Sequence, residues 1–195
     1  MSIGTKNKII NASIKLFSSQ GYKKTTTKAI ADLAGVNEVT IFRQFGTKTG
    51  ILEEIIESRM THLESIKEYI KNKAQYDLQL DLFSIAVIYQ TSIKRDIHLI
   101  LALANELGSE LHEQFGCIPK GLKIVLKNYF ELYGAKKELN FNPEFLATYF
   151  ISANIGYIFF QTITGTAEET NIDEAYIRMT IESFVNGIIK KKDLT

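Results

Sequence analysis

The segment at positions 34–48, AGVNEVTIFRQFGTK, is rich in polar side chains of the types that recognise base pairs. Arginine can form two hydrogen bonds with guanine, asparagine and glutamine can do the same with adenine, and the methyl group of threonine can contact that of thymine. If the segment is a helix with its apolar side toward a core, its outward positions are Asn37, Glu38, Thr40, Arg43 and Gln44. This pattern indicates a helix that binds nucleic acid.

Three residues in and before this segment have the spacing of a helix-turn-helix. Ala31 is small enough to let one helix cross closely over another, and Gly35, four residues later, can adopt the positive φ angle of the turn. Ile41, six residues further on, would fill the space between the helices. We expect the same core to contain Leu16, Phe17, Ile30, Val36 and Phe45.

Contacts with phosphates should come from residues that flank the segment. The candidates are the hydroxyls of Thr25, Thr26 and Thr27, the ammonium groups of Lys28 and Lys48, and the amide groups at helix N-termini. A compact helical subdomain with a solvated polar face is the alternative interpretation. Alone, the Ala31–Gly35–Ile41 spacing would favour that alternative, but its coincidence with a basic module, two short helices and a capped fourth helix favours DNA binding.

The charge distribution favours a polyanionic partner for the first part of the chain. Residues 1–50 contain eight Lys or Arg and two acidic residues, a net charge of +6, whereas residues 51–195 contain fifteen and twenty, a net charge of −5. Such a basic module attached to an acidic remainder suits DNA binding by the module alone. A non-specific attraction that falls with salt concentration would come from Lys6, Lys8, Lys23 and Lys24.

Helical periodicity extends through the whole sequence, and we expect an all-α fold of about nine helices. Three short helices come first, and a long fourth helix, capped by Thr47, should continue through Ile70. The remainder predicts helices over 78–93, 96–115 and 119–134, a helix that begins after Asn142, and a last helix capped by Asn171.

Residues 6–55 resemble the DNA-binding domain of the TetR family of bacterial transcriptional regulators. The matching stretches are IINASIKLF, QGYKKTTTKAIADLAGV and TIFRQFGTKTGIL, in unbroken order. The resemblance implies a three-helix DNA-binding domain at 1–50, with its helix-turn-helix motif at about 25–45, joined by a long helix to a helical effector-binding and dimerisation domain at 51–195. It also implies a homodimer that represses transcription at a palindromic operator and leaves DNA when a small molecule binds.

The resemblance assigns roles to individual residues. Thr26, Thr27 and Lys28 match the start of the family's second helix, where phosphates are contacted, and Thr40 matches the threonine near the middle of the recognition helix. Lys48 matches the lysine that opens the fourth helix beside the DNA backbone.

Two positions depart from the family pattern. Phe42 stands where a tyrosine is usual, so the hydroxyl that would bind a phosphate is missing. Either the phenyl ring packs on the sugar backbone or this contact is lost. Val39 replaces a small residue and could contact a thymine methyl group or change the docking of the helix.

The part of the chain after residue 50 contains 17 of the 21 Phe and Tyr residues. A cavity lined by Phe83, Tyr89, Tyr129, Phe130 and Tyr133 could bind an apolar or aromatic effector, although each of these residues also fits an ordinary core. Two alternative functions remain at this point. One is a ligand-binding or enzymatic helical protein with a vestigial DNA-binding module, and the other is a transcriptional activator or an architectural DNA protein.

The segments 145–165 and 172–189 resemble the two helices with which the family forms its dimer. Ser152 and Gly156 would allow close approach of helices, and apolar area would come from Phe159, Ile177, Ile181, Phe184 and Ile188. Residues 145–167 carry no charge, which by length alone permits a membrane span. A dimer interface explains the same composition, and the start of the chain has no signal-peptide pattern, so we expect a cytoplasmic protein.

The sequence offers little sign of catalysis or metal binding. The histidines His62, His98 and His112, together with Glu106, Glu110 and Glu113, raise the possibility of a metal site, but solvated charge is the usual explanation for such residues. No glycine-rich phosphate loop or nucleophile motif is present, and a single cysteine, Cys117, excludes an intramolecular disulfide. We therefore expect neither an enzyme nor a bound cofactor or metal.

Overall fold

A computed structural model describes residues 3–59, 61–107, 117–135, 139, 141–166 and 173–189. Within these ranges the all-α prediction is confirmed. The nine helices are α1 (Ile3–Gln20), α2 (Thr27–Ala34), α3 (Glu38–Phe45), α4 (Lys48–Arg59), α5 (Thr61–Asn72), α6 (Leu78–Leu107), α7 (Cys117–Gly134), α8 (Pro143–Thr164) and α9 (Glu174–Ile188). The extended pairing described is one isolated antiparallel bridge between Leu139 and Ile189.

The chain divides into two compact units. The first contains residues 1–61 and 96–117, and the second contains 62–95 and 118–195, so that α6 is divided between them at residue 95. The predicted domain boundary at residue 50 stays a prediction.

The turn between α2 and α3 follows from its sequence. Gly35 has a φ angle of 66°, which a residue with a side chain rarely adopts. The amide of Gly35 donates to the carbonyl of Asp32, and the amide of Val36 donates to that of Ala31. Asn37 then caps α3 by accepting the amide of Val39. The helix-turn-helix predicted from Ala31, Gly35 and Ile41 is therefore the local structure of this segment.

The core of the first unit lies beneath α2 and α3. Phe17, Ile30 and Ile41 are fully buried, as predicted, whereas Leu16, Val36 and Phe45 are only half-buried. Further buried side chains come from α1 and α4, among them Ile9, Ala12, Ile51, Leu52 and Ile55. This core holds α3 by one face and leaves its other face exposed.

Helix boundaries differ from the prediction in α6, and the prediction for the fourth helix is tested only on either side of residue 60. The two helices predicted over 78–93 and 96–115 are one uninterrupted helix from Leu78 to Leu107, because the charged stretch at 94–96 contains no glycine or proline to break it. The helix expected from Thr47 through Ile70 is described as α4 and α5, on either side of residue 60, which lies outside the described residues.

The predicted N-cap of α8 is confirmed, and the predicted N-cap of α9 is replaced by another residue. Asn142 accepts the amide of Glu144 and Pro143 occupies the first turn of α8, as the sequence indicated. The capping residue of α9 is Asp173, which accepts the amide of Tyr176 at 2.9 Å. Asn171, the predicted cap, lies outside the described residues.

Candidate functional site

The exposed face of α3 presents both apolar and polar side chains. Arg43 is exposed and makes no ion pair within the described parts of the chain. Val39 and Phe42 are 70% and 51% exposed, which is unusual for apolar residues of this size on a helix that also supplies the core residue Ile41. Exposed apolar groups beside an arginine suit a surface that contacts base edges and sugars.

Two of the predicted base-reading residues already make hydrogen bonds inside the protein. The Oδ1 atom of Asn37 accepts the amide of Val39, which fixes the orientation of the side-chain amide. The Oε1 atom of Glu38 accepts the hydroxyl of Thr27 at 2.6 Å and so joins α3 to the start of α2. Both residues therefore help to hold the recognition helix in place.

Thr40 and Gln44, the other two predicted base-reading residues, are only half-exposed. The Oε1 atom of Gln44 is buried and has no hydrogen-bond partner among the described residues. An acceptor in this state costs free energy unless a donor reaches it. Gln44 is thus less accessible to DNA than its position on the predicted outward face suggested.

The threonines before α2 differ from one another in what they can offer a phosphate. Thr26 accepts the amide of Ala29 as the N-cap of α2, which leaves its hydroxyl proton free to donate. The hydroxyl proton of Thr27 is donated to Glu38. Thr25 is buried and donates to the carbonyl of Gly21 at 2.6 Å, so its inclusion among the phosphate contacts is wrong.

The lysines of residues 1–50 differ in whether they form an ion pair. Lys28 on α2 is exposed, as are Lys8, Lys23 and Lys24. Lys6 forms an ion pair with Glu54 at 2.7 Å, which reduces its contribution to non-specific attraction.

Lys48 makes internal contacts that the sequence did not predict. Its Nζ atom donates to the carbonyls of Tyr22 and Thr25 at 2.7 and 2.9 Å and lies 4.3 Å from the centre of the Tyr22 ring. Burial lowers the pKa of Lys48, and attraction by Glu106 opposes this shift. The ammonium group therefore holds the turn between α1 and α2, and the predicted direct phosphate contact has to compete with these bonds.

The aromatic residues predicted to line an effector cavity lie mostly in the core of the second unit. Tyr89, Tyr129, Phe130 and Tyr133 are buried, whereas Phe83 is half-buried beneath the guanidinium of Arg178. Burial, and secondarily the carboxylate of Asp81, raises the pKa of Tyr129.

Asp81 is a buried carboxylate with three hydrogen-bond donors. It accepts the hydroxyl of Tyr129 at 2.7 Å, the hydroxyl of Tyr69 at 3.1 Å and the amide of Gln75 at 3.1 Å. Because these donors compensate for the loss of water, Asp81 and Tyr129 form a structural cluster. The one sequence signal for this cluster is a carboxylate on an apolar helix.

A buried pair of side-chain amides connects α6 to α8. The Nε2 atom of Gln90 donates to Oδ1 of Asn154 at 2.9 Å, and Nδ2 of Asn154 donates to the carbonyl of Phe150 at 2.8 Å. Because the Phe150 carbonyl must face a donor, both amides have only one satisfactory orientation. The Oε1 atom of Gln90 is consequently left buried without a partner in the described parts of the structure.

The dimer residues predicted on α9 require a correction. Ile177, Ile181, Phe184 and Ile188 are buried within the chain's own core, because the apolar stripe of this amphipathic helix packs inward. Ser152, Gly156 and Phe159, the residues predicted on α8, are exposed.

Sequence reasoning missed most of an exposed apolar stripe on α8. The stripe follows helical spacing and consists of Phe145, Tyr149, Ser152, Gly156, Phe159, Phe160 and Ile163. Phe145, Phe160 and Ile163 are 72%, 65% and 64% exposed. The spacing of Ser152 and Gly156 with the aromatic residues on either side was a signal that would have identified the whole stripe.

The structure tests the metal-site and membrane-span hypotheses only within the described residues. No cluster of three or more His, Cys, Asp or Glu suited to a metal occurs among the described residues, and His112, Glu110 and Glu113 lie outside them. Within the same ranges α8 is the one helix long and apolar enough to cross a membrane, with a mean hydropathy of 1.2. The core helices of soluble proteins often have the same length and composition.

A basic three-helix module that holds its third helix by one face and exposes the other defines a helix-turn-helix DNA-binding protein. Residues 9–55 match the family model described as bacterial regulatory proteins, tetR family. Over these residues the chain is similar to the DNA-binding domain of that family, and it is a DNA-binding transcriptional regulator.

Two regulators are similar in sequence over nearly the full length of the chain. The uncharacterised HTH-type transcriptional regulator YvkB of Bacillus subtilis is 28% identical over 187 residues, which cover 94% of this chain and 97% of that protein. IcaR of Staphylococcus aureus, a negative transcriptional regulator of the biofilm operon icaADBC, is 26% identical over 194 residues, with 95% and 100% covered.

Solved structures share the fold. NalD of Pseudomonas aeruginosa, the secondary repressor of the MexAB-OprM multidrug efflux pump, has a TM-score of 0.77 at 16% identity, over 97% of this chain and 100% of that chain. FadR of Bacillus subtilis, solved in complex with stearoyl-CoA, has a TM-score of 0.75 at 22% identity, over 93% and 98%.

Proposed function

We propose that the protein is a cytoplasmic, homodimeric repressor that binds a palindromic operator and is released from it by an apolar or aromatic small molecule. The observation that carries the DNA-binding part is the exposed face of α3, with Arg43 and Val39 on a module of net charge +6. In this proposal residues 1–50 form the DNA-binding domain and residues 51–195 the effector-binding and dimerisation domain. The direction of regulation is taken from the similarity to IcaR, a negative regulator.

The exposed stripe of α8 supports dimerisation. Large aromatic side chains on one face of a helix expose apolar surface that a second copy of the chain would remove from water. A two-fold axis beside α8 would bring the same stripe of two chains together, and Gly156, beside which an added Cβ atom would meet open space, would let the helices approach closely.

An effector site in the second unit is supported by its aromatic core and by the Oε1 atom of Gln90, which is buried without a hydrogen-bond partner among the described residues. A ligand of apolar body with a hydroxyl or N–H group would bury its surface against the aromatic residues and donate to this oxygen. The similar fold of Bacillus subtilis FadR, which was solved in complex with stearoyl-CoA, supports an effector with a large apolar part.

The experiment that tests the function is selection of bound DNA from a random pool, followed by footprinting of the selected sequence. We expect an inverted repeat whose half-sites lie about 34–36 Å apart, since the recognition helices of a two-fold dimer enter successive major grooves. A selected pool without any common sequence, or no salt-dependent binding to DNA, would contradict the proposal.

A further inference from the structure

The turn between α1 and α2 lies between a cation and an anion. Its carbonyl oxygens at Tyr22 and Thr25 accept from the ammonium group of Lys48 on α4. On the anionic side, Oε2 of Glu106 on α6 accepts the amide of Lys23 at 2.6 Å. All of these residues belong to the first unit. The turn is thus fixed by charge-assisted hydrogen bonds of both signs, the stronger class of hydrogen bond.

The Glu106 carboxylate also occupies the space that a side chain at position 21 would fill. A Cβ atom added to Gly21 would overlap Oε1 of Glu106, and the φ angle of Gly21, 90°, already favours glycine. Close approach of the carboxylate to the backbone therefore depends on the absence of a side chain at this position.

The turn leads directly into the residues that would meet DNA. Thr26, the next residue after it, caps α2, and Thr27 donates to Glu38 on α3. A displacement of the turn therefore changes the start of α2 and, through the Thr27–Glu38 hydrogen bond, the position of α3. None of these steps requires Glu106 itself to contact DNA.

We infer that Glu106 is a positioning residue for DNA binding, which fixes the α1–α2 turn through the amide of Lys23 and so sets the geometry of the α2 N-terminus and α3. The inference rests on DNA binding by the wild-type protein. The inference predicts a change in DNA affinity opposite in sign to the change that electrostatics alone would produce. Removal of a negative charge from a DNA-binding module normally strengthens binding, whereas loss of a positioning contact weakens it.

The test compares Glu106→Gln and Glu106→Ala with Glu57→Gln, which removes an exposed carboxylate from α4 in the same unit. Affinity for the selected operator is measured at a temperature at which melting curves show every variant to be folded. We expect Glu106→Ala to weaken binding by about tenfold, which corresponds to about 1.4 kcal/mol. Glu106→Gln, which keeps an acceptor for the Lys23 amide, should weaken it less, and Glu57→Gln should leave it unchanged or strengthen it.

The amide proton of Lys23 provides a direct readout of the contact. A hydrogen bond to a carboxylate deshields an amide proton. The NMR signal of the Lys23 amide proton should therefore move upfield in Glu106→Ala, where this bond is lost. Operator binding by both Glu106 variants as tight as that of wild type, or tighter, would overturn the inference. Absence of DNA binding by the wild-type protein would instead overturn the proposed function, so the two failures are distinguishable.

Discussion

Arg43 and Phe42 are neighbours on the exposed face of α3 and have opposite chemistry at a DNA surface. Arg43 carries donors arranged to bind guanine, whereas Phe42 offers only a ring at a position where the family usually supplies a hydroxyl. The identity of both residues was readable from the sequence. Their exposure followed from Ile41, since a helix with one residue fully buried in the core must turn its opposite face outward.

Replacement of Arg43 by Ala should lower the affinity for the operator by about 1–3 kcal/mol, if the guanidinium reads a base. Fluorescence anisotropy with the operator and with a scrambled duplex of the same length measures the change. The loss should be confined to the operator. An equal loss on both duplexes would show that Arg43 contacts phosphates only.

Restoring the missing hydroxyl should strengthen binding. Phe42→Tyr adds one phenol donor, and a single added hydrogen bond contributes about 0.5–1.5 kcal/mol. Because the ring is half-exposed, the added oxygen needs no room in the core. Leu33→Tyr, at another exposed apolar position of the module, serves as the control. Unchanged affinity of Phe42→Tyr at low and high salt would mean that no phosphate lies within reach of this position.

Contacts between residues that are far apart in the chain could not be predicted from the sequence. The Nζ atom of Lys48 bonds to carbonyls that are 23 and 26 residues away in the chain. Such a contact depends on how the turn approaches α4 in space, and no local pattern encodes it. For the same reason, the sequence does not reveal that Thr25 is buried and donates to the carbonyl of Gly21.

At the scale of elements, local signals predicted helix ends well and helix orientation poorly. Gly35 and the pair Asn142-Pro143 ended or began helices as expected, since turn geometry and capping are properties of a few adjacent residues. The apolar stripe of α9 could equally have faced the chain's own core or a partner. Only the packing of the whole unit decides between these, and it placed Ile177 and Phe184 inside.

The buried amide pair between α6 and α8 yields a stability prediction. Asn154→Ala should lower the free energy of unfolding by about 1–3 kcal/mol, because it leaves Nε2 of Gln90 unpaired as well as Oε1. Urea denaturation followed by circular dichroism measures the change.

The double variant Gln90→Met with Asn154→Leu is the matched comparison, since it removes both polar groups. It should be close to wild type in stability or above it. A double variant less stable than Asn154→Ala alone would contradict this interpretation and would show that the amides contribute favourably to folding beyond their mutual hydrogen bond.

For the whole molecule, the excess of cationic residues and the exposed aromatic residues of α8 lie in different parts of the chain. Cationic residues accumulate in the first fifty positions, and the large exposed aromatic residues of α8 lie in the second unit. The composition of the chain predicted the first property. The exposure of the aromatic residues of α8 could be learned only from the structure. The sequence of a helix that is apolar on two sides does not tell whether one side or both pack against the rest of the chain.

Charges placed on the α8 stripe should prevent dimerisation. Light scattering of the wild-type protein without detergent should give twice the mass of one chain, and Phe160→Glu with Ile163→Glu should give a mass closer to a single chain. Ile124→Glu, at a residue 59% exposed on α7, is the matched control. A wild-type monomer, or a charged variant that stays dimeric, would show that the stripe is not the interface.

The fit of the Glu106 carboxylate against Gly21 has a consequence for how relatives of this chain can diverge. A Cβ atom at position 21 would overlap the Glu106 carboxylate and would require it to move away from the Lys23 amide, so substitutions at the two sites are not independent. Relatives that keep the acid at 106 should therefore keep glycine at 21, whereas a relative with a side chain at 21 should no longer form the contact between residue 106 and the amide of residue 23. The two positions should therefore change together among relatives of this chain, although they lie 85 residues apart in the sequence.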